Sequence, residues 1–364
     1  MRAELVLASD LTPEWIAQWQ ELATRAVEPN PFFEPEFVLP AVRHLVTSGG
    51  EPFLATVSTG DRLRVIFPVQ RGYRVRGIPA PHLSVWRHLY CFLGTPLVDG
   101  EEMDEAIDEV TDLLQSAGGR WRLLVLEWLG DHGPVASSVE RALIRSGRAP
   151  IRFPSVARAI SVRPDPLAPG HATSSRHRRL KRTRRALERH AGADVEVVDR
   201  SADGAAVERF LSLEAAGWKG RGSSAIASTP RHADFFREMC AGFTRMGRLR
   251  FLALEAGDHT IAMIVCIQAG DAIFYFKAAY DEAYGRFSPG GLLEMEAPGR
   301  LFADGGVRWI DSCADPRNEL ANRLMDQRRT VSTFIVPPKG RLPRAMALGM
   351  LNAFRRMRGR GAQA

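Results

Sequence analysis

Ser288-Pro289-Gly290-Gly291 follows a strand-like run and opens a helix-like one. Serine is a favoured helix cap and proline a favoured first helical residue, so Ser288 is expected to cap a helix that Pro289 begins. Two glycines then leave the first-turn amides bare at the positive end of the helix dipole. Such a turn is a ready anion site, and a diphosphate suits it best. The plainer alternative is a capped helix after a tight turn. Just upstream, Tyr280, Asp281 and Tyr284 bring two phenols and a carboxylate to the same place, groups able to pass a proton. Tyrosines at strand ends also serve as packing residues with a wet hydroxyl. Arg286 and Phe287 complete the approach to Ser288.

A second group lies upstream. Glu214 comes near the end of a helical run, with Trp218 and Lys219 just after it in Gly217-Trp-Lys-Gly-Arg-Gly222, a glycine-rich loop. Glu214 reads equally as a base or amine anchor and as a surface carboxylate. Alternation along a strand puts Tyr275 and Lys277 on one face and Tyr280 on the other. Asp315 and Asn322 follow a later strand and are candidates for acceptor contacts, although Asp315-Pro316 also reads as a simple turn. Cys313 has no activating neighbour in sequence. His171, His177, His190, His232 and His259 show no spacing with acids that suits a metal, and none is expected.

These residues need elements to hold them. In the C-terminal half, residues 194–199 alternate as a strand and 205–218 repeat as a helix. Thr229-Pro230 starts another helix with a capping hydroxyl. Strands 248–256, 260–268 and 272–281 are joined by the short turns Gly257-Asp258 and Gly270-Asp271, which predicts an antiparallel meander. A helix from about Gly290, a strand 307–312, a helix 317–327 and a strand 330–336 complete the order. Pro298 is expected to kink or shorten the first of those helices.

The N-terminal half gives the same order less cleanly: strand 4–8, helices 12–27 and 35–47, strands 53–58, 64–71 and 88–93, helix 101–117, strand 122–128, helix 133–146 and strand 152–162. Its turn before the long helix reads Asp99-Gly-Glu-Glu102. Acids there suit a helix start but repel a diphosphate. If one half binds an anion, it is the second. The expected division is 1–163 for the first domain, 164–190 for a linker and basic helix, 191–340 for the second domain and 341–364 for a basic tail.

The chain has 364 residues, 45% hydrophobic and 25% charged. That excludes a disordered, collagen-like or disulfide-scaffold protein. No apolar run is long enough to span a membrane. Cys91, Cys240, Cys266 and Cys313 are scattered, which fits reduced thiols in a cytoplasmic protein. The net charge is +7, and residues 176–189 carry eight Lys or Arg against one Glu. That run reads as a phosphate-binding strip or as a solvated helix face.

The element order and several stretches resemble tandem GNAT acyltransferases of the FemAB-like and cellulose-biosynthesis-type groups. The stretches are Pro29–Phe37, the basic run before Val195, Glu214–Gly220 and Tyr284–Gly291. The resemblance implies an α/β (α+β) fold of two GNAT-like domains, each a mixed, mostly antiparallel sheet flanked by helices. It also implies acetyl-CoA or another acyl-CoA as co-substrate, bound by Arg286, Phe287, Ser288, Gly290 and Gly291. Glu214, Tyr280, Asp281 and Tyr284 become catalytic candidates, and Trp218, Lys219, Tyr275, Lys277, Asp315 and Asn322 candidates for binding the acceptor. The family's phosphate loop begins with Gln or Arg and has glycine fourth and glycine or alanine sixth. Arg286 and Gly291 match, but Pro289 stands fourth, and proline has no N–H to give. Cys313-Ala314-Asp315 departs from the family's later turn. The implied activity is N-acyl transfer to the amino group of a small metabolite, amino sugar or cell-envelope precursor. Its alternatives are a FemAB-like transferase that takes an aminoacyl group from tRNA, with the basic run on RNA, and a non-catalytic double-domain scaffold.

Overall fold

A computed structural model describes residues 1–46, 50–75, 78–117, 123–131, 133–153, 155–164, 175–303 and 305–338, with 345 and 349. The expected linker at 164–174, apart from Pro164, lies outside the described residues. So do Arg122 and the expected tail 341–364, apart from those two positions. The chain forms two compact units, Met1–Val42 with Val46–Ala157 and Arg329–Ala364, and Arg43–Leu45 with Arg158–Arg328.

The first unit runs β1 (Arg2–Leu7), α1 (Pro13–Arg25), α2 (Pro35–Leu45), β2 (Phe53–Thr59), β3 (Arg62–Val75), β4 (Ile78–Val85), β5 (Leu97–Val98), α3 (Met103–Ala117), β6 (Leu124–Gly130), α4 (Pro134–Arg145) and β7 (Ile151–Arg152). Antiparallel pairing joins β1 to β2, β2 to β3 and β3 to β4, whereas β4 and β6 pair in parallel at Leu83↔Leu124 and Ser84↔Val125. The strand expected at 88–93 is instead β4. Pro79 and Pro81 hide it in the sequence, yet they lie where β4 has only β3 beside it, and a proline is tolerated on an edge. Residues 88–93 form a loop that buries Tyr90, Cys91 and Leu93.

The second unit runs β8 (Val156–Val162), α5 (Ser175–Ala191), β9 (Val195–Asp199), α6 (Ala206–Ala216), α7 (Trp218–Arg221), α8 (Pro230–Arg245), β10 (Leu249–Ala256), β11 (His259–Ala269), β12 (Ala272–Tyr280), α9 (Pro289–Leu301), β13 (Trp309–Asp311) and α10 (Glu319–Leu324). The last strand, β14 (Gln327–Val336), pairs with β6 and β7 of the first unit, as β8 pairs with β13 of the second. The meander β9–β10–β11–β12 is antiparallel, as its turns predict.

Each face of the second sheet has its own core. Leu187, Leu292, Leu293, Ala297 and Ala321 pack on one side with Tyr275 and Ile273. Phe210, Phe236, Phe251 and Phe276 interlock on the other, Phe236 and Phe276 stacking at 6.1 Å. α9 continues through Pro298 to Leu301, so the expected shortening does not occur. Among the described residues no helix is long and apolar enough to cross a membrane.

Candidate functional site

Pairing between β12 and β13 covers only Ala272↔Trp309, Ile273↔Ile310 and Phe274↔Asp311. From Tyr275 onward β12 keeps β11 on one edge, up to Tyr280↔Ala262, and no described strand continues the pairing on the other. The sheet opens there. Main-chain groups along such an edge can pair with an extended ligand.

A bulge lies at the point of opening. Cys266 faces Tyr275 and Val265 faces Lys277, so Phe276 is the extra residue. An extra residue shifts the alternation by one. Tyr275 therefore turns to the α9 core, while Lys277 reaches Glu214 of α6. The expected sharing of a face by Tyr275 and Lys277 is thus wrong. It is Tyr275 and Tyr280 that pack with the α9 core. The Tyr275 hydroxyl is buried without a hydrogen bond, and burial, with Cys266 and Glu294 nearby, pushes its pKa well up.

At the far end of β12 the chain makes a 3-10 turn over Glu282–Phe287 and enters α9. Ser288 does not cap α9 with its side chain, contrary to expectation. It is left-handed, at φ 49 and ψ 54, which aims its hydroxyl at Gly291 instead. A left-handed serine before proline costs about 1–3 kcal/mol. Its amide donates to the Gly285 carbonyl, and its own carbonyl accepts from Leu292 N. The amides of Gly290 and Gly291 lie in the helix's first turn, where the helix offers no acceptor. A Cβ on Gly291 would stand 2.8 Å from Ser288 Oγ and 3.2 Å from Leu320 Cδ1. The Tyr280 ring lies against Gly290, its Cδ1 3.8 Å from where a Cβ would be.

The remaining residues of this turn hold one another. Asp281 accepts from Ala283 N and meets His259 Nε2 at 3.1 Å. Tyr284 lies between the rings of His190 and His259, at 5.8 and 5.4 Å. Arg286 donates to His190 Nδ1 at 2.9 Å and stands over the Phe287 ring. The spacing of His190 and His259 suits no metal, and nothing in it shows that α5 ends and β11 begins at this turn.

The second group gathers on the opposite face. Glu214 has a fully buried side chain. Its Oε1 accepts from Lys219 Nζ at 3.2 Å and lies 3.7 Å from Lys277 Nζ, while its Oε2 accepts from Ile226 N at 2.7 Å. It is therefore a buried, paired carboxylate and not a surface one. Lys219 also donates to the Ala278 carbonyl at 2.6 Å. Burial holds the Lys277 ammonium below the usual lysine range, with Glu214 opposing and Lys219 reinforcing that fall. The expected loop 217–222 is the short helix α7, and it leaves Trp218 exposed at the rim. A cavity of about 30 Å³ lies among Glu214, Trp218, Lys219, Ala278 and Tyr280. Thr229 precedes α8 as expected, but its hydroxyl makes no cap.

Asp315 and Asn322 stay outside both groups. Asp315 binds Arg317, and Asn322 donates to the Pro316 carbonyl. Glu294, one turn into α9, gave no signal in the sequence. Burial lifts its carboxyl to about 7. Among the described residues no cluster of His, Cys, Asp and Glu could hold a metal ion.

Comparison with known proteins fits this geometry. The acetyltransferase (GNAT) domain family matches residues 174–318. No curated protein sequence matches the chain. Its fold is similar to that of a conserved protein of unknown function from Bacteroides thetaiotaomicron, with TM-score 0.57, 10% identity, 92% of this chain and 100% of that one. FemX is similar at TM-score 0.53 and 10% identity, over 92% and 97% of the two chains. The C-terminal domain of a protein assigned as a lysylphosphatidylglycerol synthetase from Agrobacterium fabrum is similar at TM-score 0.54 and 10% identity, over 92% and 93%. These likenesses run through both halves of the chain and show a shared fold. The matched GNAT domain, residues 174–318, spans the opened strand, the glycine turn and α9.

Proposed function

We propose that the second unit binds an acyl-CoA along the open edge of β12, its diphosphate on the Gly290 and Gly291 amides, and transfers the acyl group to an amine. The observation that carries this is the end of β12–β13 pairing at Phe274↔Asp311, with the glycine-led first turn of α9 following the end of β12. The amine nitrogen attacks the thioester carbonyl, the tetrahedral adduct collapses to an amide, and the departing thiolate takes a proton. No covalent enzyme intermediate is needed. Tyr280, packed on Gly290, is the candidate proton donor, with Asp281 and Tyr284 shaping the turn. The acceptor enters from the Trp218–Lys219 side. Four cysteines, none of them in a disulfide, suit a cytoplasmic setting.

A second donor is favoured by one observation. Arg184 on α5 binds Glu296 on α9 through both carboxylate oxygens, at 2.7 and 2.8 Å, so α5 lies beside the glycine turn. Lys181, Arg182, Arg185 and Arg189 remain exposed on it. Such a strip suits RNA phosphates, as a FemAB-like use of aminoacyl-tRNA requires.

A thermal melt separates these readings. Millimolar acetyl-CoA is expected to raise the melting temperature, since a ligand at 100 times its Kd adds about 2.7 kcal/mol. No shift with acetyl-CoA, together with a salt-sensitive shift with tRNA, replaces the first donor with the second. No response to either leaves a scaffold.

A further inference from the structure

We infer that α7 is a latch over the open edge of β12, in which the Lys219 ammonium keeps the place of an amide N–H on the incoming donor. The inference rests on the proposed acyl-CoA only for the identity of that donor, and the latch stands on its own contacts.

Hydrogen bonding along β12 shows which groups the opening exposes. Asp281 N donates to the Ile261 carbonyl at 2.8 Å, in the register that pairs Tyr280 with Ala262 and Ala278 with Ile264. In an antiparallel pair, opposed residues alternate between those that bond to each other and those that do not. Asp281 and Ala279 therefore spend their main-chain groups on β11, while Ala278 and Tyr280 turn theirs to the open edge. Both outward carbonyls are met by α7 and the residue before it. Lys219 Nζ donates to the Ala278 carbonyl at 2.6 Å, and Gly217 stands against the Tyr280 carbonyl, 3.9 Å from where a Cβ would be.

Two further contacts hold α7 there. Glu282, two residues past the end of β12, accepts from the Trp218 amide through one oxygen and from Arg221 through the other, at 2.6 Å. No residue of α7 is buried, and Trp218 is more than half exposed, so packing adds little to these bonds. A ligand that pairs with the edge must offer an N–H to the Ala278 carbonyl, because a group with oxygens alone cannot replace an ammonium there. The arm of an acyl-CoA carries amides and can do so, whereas its diphosphate cannot. A closed state lowers apparent affinity by the fraction of molecules that are open. Weakening the latch therefore tightens the donor, whichever charge is removed.

Calorimetry with acetyl-CoA tests this on two variants of opposite charge. Glu282→Ala, which frees both contacts, is expected to bind about tenfold more tightly, the size of one charge-assisted hydrogen bond. Arg221→Ala, which removes one exposed ion pair, is expected to gain about threefold, although loss of a cation alone would weaken a diphosphate. ADP, which has the diphosphate and no amide arm, is expected to share neither gain. A gain confined to Glu282→Ala, an equal gain for ADP, or no gain for acetyl-CoA overturns the inference. Hydrogen exchange without donor separates the latch from the reaction. The amides of residues 220–225 are expected to exchange about tenfold faster in Glu282→Ala than in the unaltered chain, with β10 and β11 unchanged. If acetyl-CoA binds none of the three proteins while this difference is seen, the acyl-CoA reading fails and the latch stands. If exchange is the same in both, the latch fails whatever acetyl-CoA does.

Discussion

The two units enter their long helices in the same unusual way and fill the entrance with opposite charge. Glu102 stands immediately before α3 at φ 53, and Ser288 immediately before α9 at φ 49. Non-glycine residues rarely turn left-handed, so two at matching places mark a duplicated backbone that the side chains no longer record. α9 opens with a proline and two glycines. Before α3 come acids already spent on the unit's own cations. Asp99 accepts from Arg25, Arg62 and Arg64 at 2.8, 3.0 and 3.1 Å, Glu101 from Arg64 at 2.9 Å, and Glu102 lies 3.2 Å from Arg64.

The openings differ likewise. β4 and β6 part after Ser84↔Val125, much as β12 and β13 part after Phe274↔Asp311. In the first unit the chain fills its own gap. Gly94 N donates to the Trp128 carbonyl and Gly130 N to Thr95 Oγ1, both at 2.9 Å, while Asn30 clamps the Leu93 and Thr95 carbonyls. A Cβ on Gly94 would lie 1.9 Å from the Glu127 carbonyl, so nothing larger than glycine allows this approach. One unit supplies its own strand and its own anions. Among the described residues the other supplies neither at the matching places.

The largest expected effect breaks or confirms that contrast directly. Gly291→Glu puts a carboxylate where Ser288 and Leu320 leave no room, and it turns the second entrance into a copy of the first. Losing two hydrogen bonds to a charged group corresponds to about 4 kcal/mol, or roughly a thousandfold weaker acetyl-CoA binding by calorimetry. Glu101→Gln, its counterpart in the first unit, is expected to leave that affinity within about twofold. Equal affinity in Gly291→Glu would place the donor elsewhere.

A smaller effect sharpens the charge half of the comparison. Burial alone would raise the Asp99 carboxyl, but hydrogen bonds from Arg25, the Glu101 amide and Arg62 outweigh it and hold the group below the usual aspartate range. A depressed acid stabilises the fold above its unfolded value of about 3.9 and loses that contribution as pH falls through the folded one. Asp99→Asn is expected to cost about 3 kcal/mol at pH 7, read from urea midpoints, with the difference closing in acid. A cost that persists unchanged at the lowest pH would mean packing and not charge.

How much of this could be read from residues alone follows from the range of each signal. Periodicity is local, so α1, α3, α4, α8 and the meander β10–β12 emerge within a few residues of their ends. The glycine turn is equally local. Tyr275 and Lys277 were misassigned because a bulge depends on the partner strand, and no residue type announces it. β4 was hidden by prolines that only an edge position excuses. Glu214 could not be told from a surface acid because, of the two lysines that pair with it, only Lys219 is near in sequence and the other lies 63 positions on in β12. His190 and Glu294 join the site through packing of α5 and α9, which sequence order does not encode.

Glu294 gives the second unit a pH response of the opposite sign. Burial alone raises its carboxyl to about 7. The groups facing it from β11 and β12 are the Cys266 thiol and the Tyr275 phenol, both neutral, since burial pushes their pKa values well up as well. Glu296, two positions along α9, is taken by Arg184. An acid raised in the folded state keeps its full stability below the unfolded value, about 4.3, and loses it as pH climbs towards 7, because the unfolded chain gives up the proton first. Glu294→Gln keeps the shape of the protonated acid and cannot ionise. It is therefore expected to match the unaltered chain near pH 4 and to exceed it by about 2 kcal/mol at pH 8, by urea midpoints. The gap should widen between about pH 4.3 and 7 and then level off, while for Asp99→Asn it widens from acid to neutral with the variant the weaker protein. If the Glu294→Gln difference were flat with pH, the carboxyl would already be ionised in the fold, and water would have to reach it beneath α9.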